Sequence, residues 1–143
     1  MQTPMIDYLH LLLESCGEDA GEVASYIPEL AQADPDRLAI AVATLDGEVY
    51  VAGDADVEFT IQSISKPFTY ALAIADQGLD AVLEQIDVEP SGDAFNEISL
   101  EPETGRPRNP MINAGAIAAH ALVRGDDAAA RSERILELYS RLA

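Results

Sequence analysis

Apolar residues fall into short periodic stretches along this chain, and their spacing predicts its elements. Met5, Tyr8, Leu9, Leu12 and Leu13 recur at helical intervals, so residues 5–16 read as an amphipathic helix ended by Gly17. Val23–Leu30 is interrupted by Pro28 and predicts a short helix or irregular turn leading into Asp34-Pro35-Asp36. The apolar run Leu38–Leu45 and the segment Glu48–Gly53 flank Asp46-Gly47, the sequence pattern of a β-hairpin. Glu58–Ile61 reads as a short extended segment. From Lys66 to Gly78, Phe68, Leu72 and Ile74 interleave with alanines, which predicts a buried helix with Pro67 in its first turn, where no intrahelical donor is lost. Leu79–Ile86 reads as a second helix. Residues 87–110 carry four prolines and two glycines, a long loop of the kind that usually has a function. Helical spacing returns over 112–123 and 128–142.

Composition narrows the function classes. The chain has 143 residues, 48% of them hydrophobic, enough for one globular domain. No apolar run approaches the roughly 20 residues of a membrane-spanning helix. Residues 1–7 lack the basic stretch and cleavage pattern of a secretory signal, so a cytoplasmic location is expected. Cys16 is the single cysteine, and His10 and His120 stand far apart, so neither a disulfide framework nor a metal centre is expected, and no cofactor is implied. The 26 acidic residues against 8 basic ones leave a net charge of −18, which repels a phosphate backbone and excludes nucleic acid as a partner.

That charge has a measurable consequence. Raising salt shrinks the Debye length from about 10 Å at 0.1 M to about 3 Å at 1 M, which screens the repulsion among carboxylates. The thermal midpoint is expected to rise between low salt and molar sodium chloride. A flat or falling midpoint would leave the acidic surface without a role in salt.

Seven of the eight basic residues are arginine, and Lys66 is the only lysine. Arginine cannot release its proton at accessible pH, whereas a desolvated lysine amine can be tuned into a base. Lys66 follows Ser63 by three positions, at the change from extended segment to helix. Residues three apart share a helix face, so the amine can reach the hydroxyl and activate it as a nucleophile. The unpaired N–H groups of a helix N-terminus favour a developing oxyanion. The same Ser-x-x-Lys arrangement serves β-lactamases and penicillin-binding proteins. Alone the motif is weak: with 8 serines in 143 positions it arises by chance about once in 18. Ser63 also suits the plain role of a helix N-cap.

The residues around the motif add specificity. Gly21–Ala31, Phe59–Lys66, Val88–Asn96 and Gly105–Ile117 occur in this order and resemble the serine-dependent glutaminases over nearly the whole chain. The resemblance implies a β-lactamase/transpeptidase-like α/β (α+β) fold, an antiparallel sheet packed against helices. It implies hydrolysis of L-glutamine to L-glutamate and ammonia through an acyl-enzyme, with Ser63 as nucleophile and Lys66 as base. Tyr26 would contact substrate at the pocket mouth, Gln62 would lie beside the nucleophile, and Asn113 would bind the α-amino-acid end of glutamine. Bland alternatives stand beside these: a core position for Tyr26, a structural role for Gln62, a helix N-cap at Asn113. Pro67 and Ser25 depart from the family's more usual apolar and acidic residues, and neither removes a catalytic group. Members of the family continue beyond Ala143, so residues 1–143 are expected to form the N-terminal portion of one catalytic domain, with an incomplete sheet. A homo-oligomer, commonly a tetramer, is also implied. Two competing readings are a penicillin-recognising hydrolase and a non-catalytic oligomerisation module.

Overall fold

Two groups of elements follow from these patterns, one over Met1–Thr60 and one over Ile61–Ala143. The computed structural model describes residues 4–16, 21–94 and 97–142. Gly17, expected to end the first helix, and Phe95 and Asn96 of the third resembling block lie outside the described residues.

In the first group, helix α1 spans Pro4–Cys16, with Leu9 buried and Leu12 and Leu13 half-buried. Pro28, expected to interrupt its segment, instead opens helix α2, Pro28–Ala31. The reason is geometric: proline's fixed φ suits the first helical position, and its missing N–H would have no partner there anyway. The Asp34 carboxylate accepts the Asp36 N–H at 3.1 Å and pairs with Arg37 at 3.5 Å, which makes the expected turn. Strands β1, Ala39–Ala43, and β2, Val49–Gly53, pair antiparallel from Ala39 opposite Gly53 to Ala43 opposite Val49. The connection is longer than an Asp-Gly pair alone. The Thr44 N–H donates to Glu48 O at 2.9 Å, which leaves Leu45-Asp46-Gly47 as the loop, with Gly47 left-handed at φ 88°. A Thr44–Asp46 hydrogen bond holds the Asp46 carboxyl below the usual carboxylate range. Helix α1 packs on this hairpin, and Ile40, Val42, Tyr50 and Ala52 are its less exposed positions. Val49 and Val51 stay exposed on the opposite parity.

In the second group, the short 3-10 turn Gln62–Ile64 runs directly into helix α3, Ser65–Gln77. Gly78, at φ 88°, ends it by donating its N–H to Ile74 O. Helix α4 covers Leu79–Leu83 and stops short of the expected Ile86, which is nevertheless fully buried. Helices α5, Asn113–Leu122, and α6, Ala128–Leu142, follow. Leu72, Ala73, Val82, Ile86, Ala119, Val123 and Ile135 form the core between them. Helix α3 is buried along one stripe rather than all round: Thr69, Leu72, Ala73 and Asp76 face inward, while Phe68 is 40% exposed.

Asp76 is the polar member that apolar spacing could not reveal. Its carboxylate is 2% exposed and accepts the Arg124 N–H at 2.8 Å and both forks of Arg134, with Nε at 3.0 Å. The Arg134 guanidinium, helped by the Arg124 N–H against the desolvation, holds Asp76 below the usual carboxylate range. Replacing Asp76 by alanine is expected to cost about 2–3 kcal/mol, because charge-assisted bonds joining α3 to α6 are lost. A depressed carboxyl stabilises the fold above its unfolded value and loses that contribution as pH falls through its folded value. The wild-type advantage over Asp76→Ala in urea unfolding should therefore shrink below about pH 4. An advantage that stays constant down to pH 2 would contradict this.

The long loop is not structureless. Asp87 and Glu89 donate backbone N–H bonds to Pro107 O and Arg108 O, both at 2.9 Å, and Leu100 bridges Pro107. Arg106 clasps the loop with three bonds, to Leu83 O at 2.8 Å, Asp87 at 3.0 Å and Glu101 at 3.1 Å. Among the described residues no helix is long and apolar enough to cross a membrane.

Candidate active site

Ser63, Lys66 and Asn113 take their positions from the join between the 3-10 turn and α3, and from the start of α5. Gln62 sits just before the serine with φ 44°, the one non-glycine left-handed residue among those described. A side chain held in that region costs on the order of 1 kcal/mol, and such strain collects at functional sites. Ser65 fixes the turn behind it: its N–H donates to Gln62 O and Ser63 O, and its Oγ donates to Gln62 O at 2.7 Å. Ser63 itself is exposed and therefore open to a substrate. It stands within the 3-10 turn rather than capping α3, whose N-cap position is Ile64.

Lys66 lies in the first turn of α3, followed by Pro67 as expected. Its Nζ donates to Met111 O and to Asn113 Oδ1, both at 2.8 Å. Desolvation holds the amine below the ordinary lysine range, since partial burial disfavours the charged form. These two acceptors are neutral dipoles. The arrangement orients a lysine that can give up its proton, which a surface salt bridge would not.

Asn113 is the first residue of α5, with Ile112 at the N-cap and no side-chain cap. Its Oδ1 is spent on Lys66, not on the helix N-terminus, so the plain capping role does not apply. Asn109 does the nearby turn-making: its Oδ1 accepts the N–H groups of Met111 and Ile112, at 3.0 and 3.2 Å. Gly115 lets α5 approach this segment, because a Cβ there would stand 1.9 Å from Asn109 O. Tyr26 belongs to the first group of elements and is 75% exposed, which removes the reading of it as a core residue.

Beside Lys66 is an open cleft of about 590 Å³, lined by Ile61, Ser65, Lys66, Thr69, His120 and Tyr139 among others. Sequence reasoning missed the Met111 carbonyl, which has no side-chain signature. It also missed Thr69 and Tyr139, which converge on Ser65 O at 3.1 Å each. Thr69 was findable, four residues after Ser65 on one helix face; Tyr139 was not. Among the described residues no group of three His, Cys, Asp or Glu side chains could hold a metal ion.

Comparison with known proteins places the chain in a class. The glutamate form of Mglu superposes on 99% of this chain with a TM-score of 0.89 and 55% identity, the chain covering 33% of that structure. A Bacillus glutaminase solved in 4.3 M NaCl matches at TM-score 0.74 and 38% identity, over 92% of this chain and 41% of its own. The fold is thus mixed α/β of the β-lactamase-like class, an antiparallel two-stranded sheet with helices. Residues 21–143 match the Glutaminase family model, and the chain belongs to that family. The glutaminase of Corynebacterium efficiens is 52% identical over 143 residues, 98% of this chain and 34% of its own length. That of Trichormus variabilis is 50% identical over 137 residues, 96% of this chain and 40% of its own. The chain spans between 20% and 42% of the length of the curated relatives it matches here.

Proposed function

We propose that residues 1–143 are the N-terminal portion of a glutaminase catalytic domain that hydrolyses L-glutamine to L-glutamate and ammonia. The observation that carries this reading is the Lys66 amine, oriented by Met111 O and Asn113 Oδ1 at 2.8 Å, desolvated, and one helical turn after exposed Ser63. Neutral Lys66 takes the Ser63 proton as Oγ attacks the γ-carboxamide carbon. The tetrahedral oxyanion collapses, the C–N bond breaks, and the lysine proton passes to the leaving nitrogen, which departs as ammonia. Water then attacks the γ-glutamyl ester, gives its proton back through Lys66, and frees glutamate and the Ser63 hydroxyl.

In this reading Asn113 hydrogen-bonds the α-amino-acid end of glutamine, Gln62 lies beside the nucleophile, and Tyr26 is a further substrate contact. Family membership and the glutamate form of Mglu support an amino-acid substrate. The working protein is a cytoplasmic homotetramer in this reading, with no metal or organic cofactor.

The test is direct. The full-length protein, incubated separately with L-glutamine, L-asparagine and a chromogenic β-lactam, should release ammonia and glutamate from glutamine with a clear preference over the other two. Preferential β-lactam opening would replace this reading with that of a penicillin-recognising hydrolase. No turnover of any of them would favour a non-catalytic module.

A further inference from the structure

Two hydroxyls from distant parts of the chain meet at one carbonyl beside the Ser63–Lys66 turn. Thr69 Oγ1 of α3 and Tyr139 Oη of α6 each stand 3.1 Å from Ser65 O and 2.6 Å from one another. Three polar contacts need three protons, and the two hydroxyls hold only two. The 2.6 Å contact between the hydroxyls requires one to donate to the other. Either Thr69 donates to Tyr139 and Tyr139 to the carbonyl, or the order reverses. In both arrangements Ser65 O receives one hydroxyl proton, and either hydroxyl alone is able to supply it.

Ser65 is the residue through which this would be felt. Its N–H and Oγ grip the Gln62 and Ser63 carbonyls, and its carbonyl leads directly into Lys66. Thr69 is 7% exposed, and Phe68 packs edge-on against Tyr139 at 6.4 Å, so the pair is held in place. We propose that Thr69 and Tyr139 are interchangeable positioning residues, a redundant hydroxyl clasp that fixes the Ser65 peptide and through it the nucleophile and its base. The proposal rests on the reading of Ser63 and Lys66 given above.

Redundancy makes the prediction specific. Tyr139→Phe or Thr69→Val alone leaves a hydroxyl donor for Ser65 O, whereas the double variant leaves it only the backbone N–H of Thr69 within α3. The second lone pair of that carbonyl then draws water into the cleft lined by Ser65 and Lys66, and water solvates the ammonium. The other titratable groups on this cleft are His120 of α5 and Tyr139 itself.

Kinetics and competitive acylation of Lys66 across pH, located by peptide mapping, should be measured on the full-length parent, both single variants and the double. Each single variant should keep kcat within about threefold, and the double should lose ten-fold or more with KM little changed, far beyond the product of the singles. The Lys66 titration should move to higher pH in the double only. Multiplicative effects, or a fall in thermal midpoint with kcat and the titration unmoved, would make the hydroxyls merely structural and overturn the proposal. If the parent does not hydrolyse glutamine, the functional reading fails by itself, and the acylation profile still decides whether the clasp positions Lys66.

Discussion

Replacing Ser63 by alanine in the full-length protein should reduce glutamine turnover by about 10⁴-fold or more while leaving the thermal midpoint unchanged. The loss is large because, in the proposed reaction, the Ser63 hydroxyl is the group that would form the covalent bond. The fold is spared because Ser63 is exposed and stands outside the core of Leu72, Val82, Ile86 and Ile135. Lys66→Arg should be nearly as damaging although it keeps the charge. Arginine cannot accept the serine proton, and its planar fork does not match the two carbonyl-type oxygens that a lysine amine meets here. Glutamate release and a thermal melt on the same preparations settle the matter. A Ser63→Ala protein with near-normal turnover would end the assignment, and an active Lys66→Arg protein would make Lys66 an electrostatic partner rather than a base.

The second large effect comes from a residue with no functional group. Gly115→Ala is expected to destabilise the fold by about 2–3 kcal/mol and to slow turnover by roughly a hundred-fold. The added methyl would run into the backbone of one segment, at 1.9 Å from Asn109 O and 2.8 Å from the Pro110 Cα. Backbone cannot rotate out of the way as a side chain does, so α5 and the Asn109–Met111 segment must separate. Asn109 organises the N–H groups of Met111 and Ile112, and Met111 O and Asn113 Oδ1 both accept from Lys66. Separation therefore misplaces the base from a distance. Urea unfolding and steady-state kinetics should change together, and a stable variant with unaltered kcat would show that the segment relaxes without cost.

The elements with strong period were legible in the residues. Met5 through Leu13, the two runs around Asp46-Gly47 and the stretches beginning near 66, 112 and 128 all became the expected helices or strands. Pro28 left its segment open between a short helix and an irregular turn, because proline reads as a breaker until its position in the helix is known; the short helix is what forms. The segment 87–110 read as structureless because its order comes from backbone bonds and one arginine, neither of which has a periodicity. At the candidate site, the motif and the lone lysine both singled out Ser63 and Lys66 as a pair, and the structure sets them three residues apart at the join of the 3-10 turn and α3. The link from Lys66 to Asn113 joins residues 47 apart and depends on how α5 returns to α3. Asp76 and Tyr139 stayed hidden for the same reason: their partners are 58 and 74 residues away, and nothing local announces a long-range hydrogen bond.

The clasp at Arg106 bears on how this loop exchanges its amide protons with solvent. The N–H groups of Asp87, Glu89, Glu101 and Arg108 all donate across the loop, to Pro107, Arg108, Arg106 and Ser99. Each of those acceptors lies on a strand of chain that Arg106 ties to Leu83, Asp87 or Glu101. In deuterated water the four amides should behave as one cooperative opening unit, protected well beyond an ordinary loop. Arg106→Gln should release all four together, while the amides of α3 keep their own, slower clock.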